Sequence, residues 1–257
     1  MLNILNLRTR SGRDELRRQV ANHGDVSAPA ERLLSLIENR NYASAIVEPD
    51  YIDVDHHAAL ARFYRLRHRD TAARCVRVHL FESPVADVDE LSQDQMDSYR
   101  GFLVLRPFSH ETLGRCILSG DLCEGLQEES YVTCKASYRI HLGGREILFS
   151  GTPWMQQDRM VAACASTAMW VATWHLGHYL GGEHRVYTTP EITELSTRFS
   201  LATGRSMPSG GLTTDQMSNG FHAMGYAPLM FGEWEAPTPE QVQRTSTLMS
   251  SLVCLPC

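Results

Sequence analysis

Along the first 150 residues the apolar positions switch repeatedly between helical spacing and strict alternation. Leu16 and Val20 recur four apart behind Ser11, which predicts a basic helix capped there. Leu33, Leu36 and Ile37 follow Ser27 and Pro29, a second helix with serine at its cap and proline in its first turn. Ala45-Ile-Val47 is a short apolar run of strand type, and Asp55 precedes a helix carrying Leu60, Phe63 and Tyr64. Cys75 to Phe81 alternates as a half-buried strand, and Gly101 to Leu105 is a second strand stopped by Pro107. Tyr131–Leu142 and Glu146–Phe149 flank Gly143-Gly144 and predict a β-hairpin.

After Gly151-Thr-Pro153 the pattern becomes helical. A helix is expected from about Ala162 to Gly181-Gly182, and a second from Thr189 with Pro190, carrying Ile192, Leu195 and Phe199. Thr213 with Gln216 three residues later is a capping box, opening a helix through Met217, Phe221 and Met224 that stops at Gly225. Thr238, Pro239 and Gln241 repeat the start signal. The expected class is α+β, with an α+β region over 1–150 and a helical unit over 151–257.

Composition narrows the function classes. The chain has 257 residues with 24 Lys+Arg against 30 Asp+Glu, a net charge of −6. That balance disfavours long-range attraction to nucleic acid or anionic lipid. A hydrophobic fraction of 43% is ample for a packed core and argues against disorder. Seven scattered cysteines and no signal-peptide pattern lead to the expectation of a reduced, cytoplasmic protein. Met160 to Gly182 has no Asp, Glu, Lys or Arg, but it contains Cys164, Ser166, Thr167, Thr173, His175 and His178. Those polar groups favour a helix in a protein core over a membrane span.

The stretch richest in chemistry is Met155-Gln-Gln-Asp-Arg-Met-Val-Ala-Ala-Cys-Ala-Ser-Thr-Ala-Met-Trp170. Cys164 falls in the first turn of the expected helix, with Gln156 and Gln157 eight and seven residues upstream. A helix start presents free N–H groups and a positive dipole end, both of which favour a thiolate and an oxyanion. A glutamine side chain folded over that start supplies a second oxyanion donor.

This segment resembles the nucleophile region of papain-like cysteine peptidases, most closely the C39-like branch. Gln157, Cys164, Ala165, Ser166 and Ala168 fit the family's glutamine-loop and cysteine-helix pattern. The Thr-Pro-Glu-Ile helix start, Gly211-Leu-Thr-Thr-Asp-Gln-Met217 and Gly225-Tyr226 follow in the family's order. The resemblance covers roughly residues 150 to 230. It implies a papain-like half-domain in which Cys164 is the nucleophile and Gln157 an oxyanion donor. The substrate would be a peptide or protein, and no metal or organic cofactor is implied.

Two departures accompany the resemblance. The family's glutamine position, six before the cysteine, holds Asp158, so either Gln157 serves on a longer loop or the carboxylate opposes an oxyanion. The family's base histidine, on a later strand, has no counterpart among His175, His178, His184 and His222, so the unit is expected to be incomplete at its C-terminus. A non-catalytic binding or scaffold protein that keeps a papain-like half-fold is the alternative expectation. His175-x-x-His178 with His184, and Cys254-Leu-Pro-Cys257, are read as structural or incidental rather than as metal or redox sites.

Overall fold

The computed structural model describes residues 2–22, 24–64, 72–108, 111–122, 134–156, 164–180, 185–198 and 211–230. Among them are seven α-helices and seven strands, a mixed α and β architecture. The chain begins with β1 (Asn3–Asn6), α1 (Arg10–Ala21), α2 (Ala28–Asn39) and β2 (Ser44–Tyr51). It continues through α3 (Val54–Ala59), which runs into a π-helical turn over Leu60–Tyr64, and then β3 (Cys75–Phe81). There follow α4 (Gln93–Asp97), β4 (Tyr99–Leu105), β5 (Leu113–Leu118), β6 (Ala136–Leu142) and β7 (Arg145–Met155). The last described elements are α5 (Cys164–Leu180), α6 (Thr189–Thr197) and α7 (Thr214–Ala223).

All strand pairs are antiparallel, in the order β1-β2-β3-β4-β5-β7-β6. The long β7 changes partners along its length: Arg145–Gly151 pair with β6, and Thr152–Met155 pair with β5. Residue 150 therefore falls inside a strand. Gly151 marks the changeover, where a Cβ would lie 2.5 Å from the Phe149 ring and 2.9 Å from Ile117. The sheet curls far enough for Arg77 of β3 to donate to the carbonyl of His141 in β6, at 3.0 Å, although three strands lie between them in the order. His175 of α5 meets the Lys135 carbonyl at 3.1 Å. Side chains thus occupy carbonyls at both ends of the edge strand β6, which limits its use as a template for another strand.

Each face of the sheet carries a core. One is formed by α1 and α2 against β1–β5, through Leu16, Val20, Leu33, Ile37, Leu80 and Leu103. The other lies inside the curl and runs from Ile46, Phe81 and Phe102 through Tyr138, Ile140 and Phe149 to Met169, Trp170, Ile192 and Met224. This second core draws on residues from both sides of position 150.

Local chemistry accounts for the helix ends. Thr9, rather than Ser11, caps α1 by accepting from Gly12 N–H, and Asp53, rather than Asp55, caps α3 by accepting from His56 N–H. Complete capping boxes open α6 (Thr188 and Glu191) and α7 (Thr213 and Gln216). Helix α7 ends on Gly225 at φ +91°, with Tyr226 N–H bonded back to Phe221 O at 2.9 Å and the two rings in contact. The expected helix start at Thr238 lies outside the described residues. Helix α5 has 17 residues and buries the stripe Ser166, Thr167, Met169, Trp170 and Thr173 while leaving Cys164, Ala168 and His178 exposed. No helix among the described residues is long and apolar enough to cross a membrane.

Candidate functional site

Cys164 is the first residue of α5, and it is exposed to solvent. The turn after it is fixed from two sides. Ser166 shares a 2.9 Å hydrogen bond with Thr193 of α6, and Met169 packs beside Ser196 of α6 and Gly220 of α7. Trp170 and Thr173 carry the same face onto the sheet. Two other described thiols contrast with Cys164, while Cys134 is half-buried. Cys75 and Cys116 are buried, and burial pushes both up to about 12, which makes them poor nucleophiles.

Gln157 lies outside the described residues. Its neighbour Gln156 is buried and committed to the sheet. The Gln156 side-chain amide donates to Ser27 Oγ at 3.1 Å, and its carbonyl oxygen accepts from Leu113 N–H at 3.3 Å. The backbone carbonyl of Gln156 takes a further bond from Arg106 at 3.2 Å. Gln156 therefore ties α2 to β5, and its side chain is committed away from the start of α5.

The histidines are distributed over the fold. His175 and His178 stand eleven and fourteen residues along α5 from Cys164, about 16 and 21 Å down the axis at 1.5 Å per residue. His175 is engaged with Lys135 O, and His178 is exposed. His222 is exposed near the end of α7, and His184 lies outside the described residues.

Two buried polar groupings have no counterpart in the sequence reading. In the first, Arg77 bonds Glu48 at 2.6 Å and stacks over the Tyr51 ring at 4.2 Å. The same carboxylate lies 3.5 Å from His79 Nε2, and His79 Nδ1 meets the Tyr99 hydroxyl at 2.9 Å. Burial drives His79 down to about 4, so this imidazole is neutral at ordinary pH.

The second grouping joins β2, α3, β5 and α6. Arg115 Nη2 lies 3.0 Å from both the Tyr51 hydroxyl and Asp53 Oδ2. Asp55 lies beside Asp53 and accepts from Thr189 N–H at 3.3 Å. Burial, reinforced by Asp53, pushes the Asp55 carboxyl up to about 7, against the pull of Arg115. The signal in the sequence is the Asp53-Val-Asp55 step shortly after β2.

Comparison of the chain with protein-family models, with curated proteins and with solved structures finds no match in any of the three.

Proposed function

We propose that this chain carries the nucleophile half of a papain-like, C39-like cysteine peptidase, with Cys164 as the attacking thiol. The reading is supported above all by the exposure of Cys164 at the first residue of α5, while Ser166 and Thr167 just after it are buried. A small core residue would be covered there; a nucleophile needs access. In this mechanism the Cys164 sulfur adds to a peptide or amide carbonyl. The Cys164 N–H and the Gln157 side chain hold the oxyanion, and a histidine carries the thiol proton to the leaving amine. Collapse of the tetrahedral adduct expels the amine and leaves an acyl-enzyme for water to hydrolyse.

The second reading is a non-catalytic binding or scaffold protein retaining the same half-fold. It is favoured by the commitments of three described histidines: His56 and His79 are buried, with His56 bonded to Ala72 O, and His175 is held by Lys135 O. The two separate by labelling with an iodoacetamide-type electrophile from pH 5 to 9, read by peptide mass spectrometry. A peptidase nucleophile is modified at Cys164 faster than a model thiol at pH 7. Modification no faster than the model thiol overturns the activated-nucleophile reading.

A further inference from the structure

The contact between α3 and α6 is built on two carboxyls facing one cation. Asp55, in the first turn of α3, is 5% exposed, and it receives the N–H of Thr189, the residue that opens α6. Asp53 is 1% exposed, caps the same helix through His56 N–H at 2.9 Å, and lies 3.0 Å from Arg115.

The groups facing Asp55 come from each neighbouring element. Arg115 approaches from β5, Asp53 from the α3 cap, and Glu191 from α6. Glu191 is itself held by Thr188 and by Arg185 at 2.8 Å. On α3, His57 is exposed, and His56 turns its Nε2 to Ala72 O. Arg62 of the π-helical turn is taken by Glu194 of α6 at 2.7 Å. Arg115 is thus the cation in contact with the pair, and the buried Arg106 acts on Asp53 through space. Ionising both carboxyls places two charges in a dry joint with one guanidinium in contact, which is costly; a proton on one of them relieves that cost.

We propose that Asp53 and Asp55 form a proton-operated pin, seating α6 on α3 when Asp55 holds a proton and loosening that seat when Asp55 ionises. The effect extends beyond the joint, because α6 is bonded to the first turn of α5 through Ser166 and Thr193 and packs on α7 at Gly220. Acidification therefore tightens the three-helix layer on the sheet. The pin does not depend on any role for Cys164.

The direction follows from the two states. In the undocked state Asp55 is an ordinary aspartate near 4, and in the docked state it titrates at about 7. Docking support is complete below about pH 4, is lost as pH rises towards 7, and levels off above that. One proton taken up on docking corresponds to a change approaching about tenfold per pH unit within that window.

The test is amide hydrogen exchange on the full chain between pH 4.5 and 8, corrected for intrinsic rates, reading peptides that span α6. In the natural chain, protection of α6 falls steeply from pH 4.5 to 7 and then flattens. In Asp55→Asn, which keeps the shape and an acceptor but cannot ionise, the fall between pH 4.5 and 7 is abolished, leaving only the opposite, acid-side loss that His79 contributes. In Asp53→Asn, which keeps a helix cap but removes the neighbouring charge, the fall shifts to lower pH. A pH profile of the natural chain that coincides with that of Asp55→Asn overturns the proposal. So does an undiminished slope in Asp55→Asn, or, if that variant fails to fold, an unshifted window in Asp53→Asn.

Discussion

The side-chain amide of Gln156 donates to the hydroxyl of Ser27 at 3.1 Å, joining residues 129 positions apart. Ser27 stands at the start of α2, yet its side chain makes no capping bond to that helix. The hydroxyl is engaged by the end of β7 instead. Gln156 reaches Leu113 N–H as well, so one side chain links α2, β5 and β7.

Replacing Gln156 by Leu strands a buried Leu113 N–H and should cost about 1–3 kcal/mol in urea unfolding. The labelling rate of Cys164 should stay within about twofold of the natural chain, since Gln156 serves the sheet. A large loss of Cys164 reactivity with unchanged stability would return Gln156 to the site.

Gly220 marks the closest approach in the helical layer. A Cβ there would lie 2.2 Å from Ser196 Oγ and 2.8 Å from Met169 Cε. Gly220→Ala should therefore destabilise by about 1–3 kcal/mol, although alanine is the better helix former by about 1 kcal/mol. Combining it with Ser196→Gly should recover part of the loss, and a thermal-melt comparison of the single and double variants checks this.

His79 contributes to the pH dependence with a sign opposite to that of Asp55. Its folded value is depressed to about 4 from an unfolded value near 6.5. The neutral, buried imidazole supports the fold fully above about pH 6.5, and that support is lost as pH falls towards 4. The stability advantage of the natural chain over His79→Gln should accordingly shrink on acidification across that window. Taking the difference between the two proteins cancels the Asp55 contribution, and urea midpoints at several pH values measure it.

Tyr138 packs its ring on Trp174 at 4.8 Å, but its buried hydroxyl has no hydrogen-bond partner among the described residues. Removing an unsatisfied buried hydroxyl relieves a desolvation cost without breaking a bond. Tyr138→Phe is expected to be neutral or stabilising by up to about 1 kcal/mol. A loss of more than that in chemical unfolding would show that the hydroxyl makes a bond in solution.

Much of the fold was legible where the determining residues lie close together. The alternation of Cys75–Phe81 marked the extent of β3, although the strand is buried on both faces rather than half-buried, because a core covers each side of the sheet. The Thr213–Gln216 box and Gly225 bounded α7. Gly143 and Gly144, both at positive φ, turned the β6–β7 hairpin as their composition requires. The exposed helix-start position of Cys164 was legible only in part. A charge-free helix gives no periodic signal for which side is buried, and the exposed side emerged only when α6 and α7 covered the other.

β5 is the clearest element the pattern did not reveal. Leu113–Leu118 is short, contains Gly114 and Arg115, and takes its place only by pairing with β4 and β7 on either side.

Sequence alone determined the mixed α and β character, the capping box of α7, the hairpin turn and the order of segments around Cys164. Each of these depends on chemistry within one or two turns of chain. Tertiary structure decided that Gln156 serves the sheet, that Asp55 meets Thr189 across 134 positions, and that Asp53 and Asp55 share a single arginine. Arg115 contacts Asp53, and Asp55 feels that arginine through space. Those outcomes rest on which distant groups are desolvated together. Burial turns ordinary aspartates and a histidine into groups whose charge depends on their neighbours, and no local pattern records who those neighbours are.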